Sequence, residues 1–118
     1  MSAGAASGRF AFKAYAGTRA PTVYHVMLYD VAHGLLAMIE ADNLGRLRTG
    51  AATGVAVDHM TRKSAATLGI IGAGRQARTQ VQAIAAVRTL REVRVFSRDA
   101  RRAADFCDEA SKELAIDL

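Results

Sequence analysis

The chain has 118 residues, 51% hydrophobic and 23% charged, with a formal net charge of +5 and a single proline. That composition is globular, which argues against long disordered linkers. Charged residues also recur too often for the roughly 18 uninterrupted apolar residues of a membrane span. The length suits one small domain but is short for an enzyme enclosing both a dinucleotide and a substrate, so an incomplete chain is expected.

The first eight residues are small and polar and lack the basic start and apolar core of a secretory signal, which makes the cytoplasm the expected compartment. Residues 9–16 alternate Phe10, Phe12 and Ala14 with other side chains, the pattern of a strand with one buried face and Lys13 on the other. After a break at 17–21, Val23, Tyr24, Val26, Leu28 and Tyr29 mark a second strand over 22–30. The turn-prone Ala32-His33-Gly34 then leads into residues 35–40, a β-hairpin. Asp42 or Asn43 can cap a helix running to about Arg62. Leu44, Leu47, Ala51 and Val55 lie on one side of it, with the small residues Gly50, Ala52 and Gly54 around them.

Past a short connection at 63–66 the pattern changes. Residues 67–71 are an apolar run of the kind found in strands covered on both faces. From 75 to 88, Ala77, Val81, Ile84 and Ala85 recur at helical spacing, and 92–96 return to strand. Asp99 begins a last helix striped by Ala100, Ala103, Cys107, Ala110 and Leu114, which places Cys107 as a buried structural thiol. The predicted fold class is therefore α/β. A β-α-β unit over 65–118 follows a hairpin-containing segment over 1–64, and a right-handed crossover is expected.

The chemistry concentrates in the turn Gly72-Ala73-Gly74-Arg75-Gln76-Ala77. The first glycine permits a tight strand-to-helix turn, the second lets a phosphate approach the backbone, and Ala77 lets the helix pack on the strand. Helix N-terminal amides then face a pyrophosphate. Such glycine spacing is weak evidence alone, but here it follows an apolar strand, opens an amphipathic helix and is completed by a second strand. A merely structural tight turn is the competing reading. Where an acid would bind the adenosine ribose, the sequence has Ser97-Arg98-Asp99. A small polar residue followed by a guanidinium suits a 2′-phosphate, so NADP(H) is favoured, with Asp99 keeping NAD(H) open.

Other constellations carry less. Arg88, Arg91, Arg94, Arg98, Arg101 and Arg102 crowd one segment. They alternate among loop, strand and helix and have only Phe96 as a stacking partner, so a solvated basic surface near an anionic cofactor is expected, not a nucleic-acid site. His25, His33 and His59 lack ligand spacing with Cys107 or with a carboxylate cluster, so no metal is expected.

Two linked stretches, residues 40–52 (Glu40-Ala41-Asp42 through Arg48-Thr49 to Ala52) and 68–77, resemble the ornithine cyclodeaminase and mu-crystallin family, as does nearly the whole chain from about Phe10 onward. The resemblance implies a two-domain enzyme, with a substrate-binding and dimer-forming domain followed by a Rossmann domain, of which residues 1–64 and 65–118 are partial pieces. The reaction implied is hydride transfer between a nicotinamide and the α-carbon of an amino or imino acid, as in ketimine or pyrroline-carboxylate reductases, alanine dehydrogenases and cyclodeaminases. Lys13 matches the family's active-site lysine. Arg48 matches the arginine of its Arg-Thr motif, which can hold a carboxylate or a cofactor phosphate. Thr22 lies near a family cofactor contact, for which Pro21 is the alternative. Without the resemblance, Lys13 reads as a solvated strand residue and Arg48 as a salt-bridge partner. Family members extend beyond this chain at both ends, so the alternative reading is a truncated, non-catalytic fragment that binds a dinucleotide or a partner chain.

Overall fold

The computed structural model describes residues 2–15, 17 and 22–114, so Pro21 lies outside the described residues. The described chain forms two compact units, Met1–Gly45 and Arg46–Leu118.

The first unit is a four-stranded antiparallel sheet in chain order: β1 (Ser2–Ala6), β2 (Arg9–Tyr15), β3 (Tyr24–Asp30) and β4 (Gly34–Glu40). Its first hairpin turns on Ser7 and Gly8, both at positive φ (51° and 73°), the backbone of a tight two-residue turn. The second hairpin turns through residues 31–33. There Asp30 Oδ1 accepts the backbone N–H of Ala32 at 2.9 Å and of His33 at 3.1 Å, and Gly34 takes a φ of 78°. His33 Nδ1 lies 2.8 Å from the same oxygen. That contact, then the amides and Arg9, holds the Asp30 carboxyl below its ordinary range. Phe10 and Phe12 share a face with Tyr29, whose ring stacks on theirs at 5.0 and 5.8 Å between centroids.

The helix α1 (Asp42–Met60) begins at Asp42 in the first unit's last residues and continues in the second. The second unit holds β5 (Thr67–Ile71), α2 (Ala77–Ala85), β6 (Glu92–Phe96) and α3 (Ala100–Leu114). β5 and β6 pair in parallel, Thr67 opposite Glu92 through Ile71 opposite Phe96. Val81, Ile84, Leu90 and Val93 form the buried core, with Val57, Leu68, Ile70, Ala85, Val95 and Phe106 against it. The α/β class and the parallel β-α-β unit match the expectation from sequence.

Several expectations need correction. Leu44, Leu47, Ala51 and Val55 do not form the packed side of α1; all four are exposed. The packed side carries Gly50 and Gly54. A Cβ at Gly50 would be driven into the Thr79 carbonyl, 2.9 Å from its carbon, and one at Gly54 would lie 2.9 Å from the Ala83 carbonyl oxygen. Backbone approach between α1 and α2, not side-chain bulk, sets this contact. Arg88 is not part of a solvated basic surface, since it is only 6% exposed. It donates to Asp58 Oδ1 at 2.6 Å and to the carbonyls of Val57 (2.9 Å), Asp58 (3.0 Å) and Val87 (2.6 Å). Cys107 is half-buried, and Phe106 fills the core contact expected of it. Residues 2–8, given no element in the sequence reading, supply β1 and its turn.

Candidate functional site

The second unit holds the dinucleotide turn. β5 ends at Ile71, and Gly72 reverses the chain at φ 103°, a conformation that any Cβ would strain. Its N–H is tied to the Phe96 carbonyl at 2.7 Å, which fixes the turn against the end of β6. The space beside Gly74 is open, with nothing within 4 Å of where a Cβ would sit. Ala77, 5% exposed, is the first residue of α2, and its N–H reaches Gly74 O at 3.0 Å. No side chain caps α2, whose N-cap residue is Gln76, so its first-turn amides are not taken up by a capping group. Ala73 is half-buried, while Arg75 and Gln76 are exposed beside it. An open backbone turn at a helix N-terminus fits a pyrophosphate.

The same turn forms one wall of a cleft of about 480 Å³. Its other wall is Phe96, Ser97, Arg98, Asp99 and Arg102. Ser97, Arg98 and Asp99 are thus brought together with Gly72, Ala73 and Gly74, as the motif requires. Asp99 is also engaged locally. Its N–H donates to Ser97 Oγ at 3.3 Å, its Oδ1 caps α3 by accepting the Arg102 N–H at 3.2 Å, and its Oδ2 lies 3.6 Å from Arg102 Nε. From sequence Arg102 reads only as one of a run of arginines near an anionic cofactor, not as a wall of this cleft. The available signal was its place in the first turn of α3, capped by Asp99 and close behind Arg98.

The first unit holds Lys13 in mid-strand, half-buried, directly opposite Val26. Its Nζ stands 4.3 Å from the centroid of the Tyr24 ring and 5.9 Å from that of Tyr15. Gly45, in the first turn of α1, is buried, and a Cβ there would lie 2.7 Å from Lys13 Nζ. Neither Tyr24 nor Gly45 was singled out from sequence. Thr22 is half-buried just ahead of β3. Arg48 is exposed on α1, in the second unit. Among the described residues no group of three or more His, Cys, Asp or Glu could hold a metal ion, and no helix is long and apolar enough to cross a membrane.

With that geometry in view, the comparisons with known proteins are specific. A Delta(1)-pyrroline-2-carboxylate reductase of Bacillus cereus is 43% identical over 82 residues, which cover 69% of this chain and 25% of the relative. The structure of the Thermococcus litoralis Delta(1)-pyrroline-2-carboxylate reductase in complex with NADH and L-proline superposes with a TM-score of 0.77 at 38% identity, covering 81% of this chain and 30% of that one. An archaeal alanine dehydrogenase dimer with bound NAD superposes with a TM-score of 0.85 at 26% identity, over 93% of this chain and 37% of that one. The chain spans about a quarter of the length of the curated relatives it matches. The profile of the ornithine cyclodeaminase/mu-crystallin family matches residues 12–118. The chain belongs to the ornithine cyclodeaminase/mu-crystallin family.

Proposed function

We propose that this chain carries part of the site of an NADP(H)-dependent oxidoreductase that transfers hydride at the α-carbon of an amino or imino acid. Ketimine or pyrroline-carboxylate reduction, or cyclodeamination through an imine, is the reaction class. The observation that carries the reading is the cleft in which the Gly72–Gly74 turn faces Ser97, Arg98 and Arg102. A bound nicotinamide would supply or accept the hydride. The chain's own residues do the rest. The turn from Gly72 to Ala77 receives the pyrophosphate on backbone amides, and Arg98 pairs with a 2′-phosphate beside Ser97. Arg48 holds the substrate carboxylate or a cofactor phosphate, Thr22 contacts cofactor, and Lys13 gives a proton to the imine nitrogen as hydride reaches carbon. Residues 1–64 belong in this reading to a substrate and dimer domain and 65–118 to the cofactor domain, in a cytoplasmic homodimer.

The test is calorimetric titration of the purified chain with NADPH and, separately, NADH at fixed salt. NADPH is expected to bind about tenfold more tightly, and Arg98→Ala and Arg102→Ala each to weaken NADPH about tenfold while leaving NADH unchanged. Equal or tighter NADH binding overturns the role given to Arg98. A second reading is a chain that binds a dinucleotide or a partner chain without turnover. Binding without hydride transfer supports it.

A further inference from the structure

We propose that Gly45 and Tyr24 form the seat that positions the Lys13 ammonium, which makes this helix glycine a positioning residue for the lysine. The inference rests on the proton-donor reading of Lys13 given above. Lys13 and Tyr15 project from the same face of β2, and Tyr24, paired with Tyr15, lies diagonally across from Lys13 on β3, two residues from Val26. The ammonium therefore stands over the Tyr24 ring at 4.3 Å, near enough for the ring's negative face to hold it, with Tyr15 further off at 5.9 Å.

The other wall is the absence of a side chain on α1. A Cβ at Gly45 would come within 2.7 Å of Lys13 Nζ and 3.9 Å of its Cε, and among the described residues no other atom beyond its chain neighbours and the surrounding helix backbone lies within 4 Å of that point. The space a methyl group would need is where the ammionium sits. Glycine inside a helix is less favourable than alanine, so its presence wants a reason. At Gly50 and Gly54 the reason is the backbone of α2. At Gly45 no backbone is met, and the lysine tip is what a larger residue would displace. Because that tip is the end of a flexible chain, Gly45→Ala is expected to keep the fold and move the ammonium.

The experiment labels the chain with lysine enriched in carbon-13 at Cε, which gives signals for Lys13, Lys63 and Lys112. The Lys13 ε-protons are expected upfield of the other two, shifted by the Tyr24 ring. Gly45→Ala and Tyr24→Leu should return them to the ordinary position, and Tyr24→Phe should preserve the shift. Circular dichroism melts establish that each variant is folded. The same variants are assayed for imino acid reduction with NADPH, where Gly45→Ala and Tyr24→Leu should lower kcat about tenfold with KM little changed, and Tyr24→Phe should restore it. An unmoved Lys13 resonance in folded Gly45→Ala, or full kcat in that variant while Lys13→Met loses it, overturns the proposal. Full kcat in Lys13→Met defeats instead the proton-donor reading. If the wild-type chain has no turnover, the non-catalytic reading holds and the resonance alone decides the seat.

Discussion

At the scale of single residues, charge is informative only once its partners are known. Arg98 could be read from the sequence because its place after β6 is fixed by the motif, whereas Arg102 needed α3 to bring it to the same cleft. Arg88 was misread for the same reason: nothing in its neighbours along the chain shows Asp58, thirty residues earlier, waiting for it. Asp58 accepts from Lys63 at 2.5 Å and from Arg88 at 2.6 Å, and these two cations, Lys63 first, lower its pKa from 3.8 to about 2. A carboxyl whose folded pKa is depressed adds stability above its unfolded value, and that contribution is lost as pH falls from 3.8 through about 2. Thermal melts across that window should therefore show a falling melting temperature in the wild type and a shallower fall in Asp58→Asn. The residual slope in the variant is expected from Asp30 and Glu92, which His33 and Arg94 respectively hold below their ordinary range. An unchanged slope in Asp58→Asn would assign the acid sensitivity elsewhere.

At the scale of elements, the strands flanking the dinucleotide turn were the most legible, since 67–71 and 92–96 match β5 and β6 residue for residue. Short apolar runs bounded by turn residues have few alternatives in a β-α-β unit. Helix α1 was legible as a helix but not in its packing, because periodicity locates large apolar side chains while Gly50 and Gly54 pack through their lack of one. β1 was invisible for a related reason: Ser2-Ala3-Gly4-Ala5-Ala6 has neither the β-branched nor the aromatic residues that announce a strand. The same geometry separates two glycines on one helix. Gly50→Ala forces α1 away from the α2 backbone and should cost about 1–3 kcal/mol, whereas Gly45→Ala should be neutral or slightly stabilising. Urea unfolding of the two variants checks this, and equal midpoints would show that the α1–α2 approach is not tight.

At the scale of the whole molecule, the proposed site was legible in its cofactor half and only by resemblance in its substrate half. The glycine turn states its own chemistry; a strand lysine and a helix arginine do not. Much apolar surface is left uncovered in the first unit. Leu35, Leu36, Met38 and Ile39 of β4 are exposed, as is Phe10 beside Tyr29. A proposed homodimer accounts for surface of that kind. Sedimentation velocity should give a mass near twice that of one chain, with dissociation on dilution, and Met38→Glu should shift the population to monomer. A monomer at every concentration would remove dimerisation from the proposal. Arg88, finally, ties the last carbonyls of α1 to a point three residues past α2, and so joins two segments that are thirty positions apart. Neither helix end can fray without releasing the other. In hydrogen–deuterium exchange the amides around 57–61 and 84–88 should therefore share a single opening event, with one protection factor where two independent helices would show two.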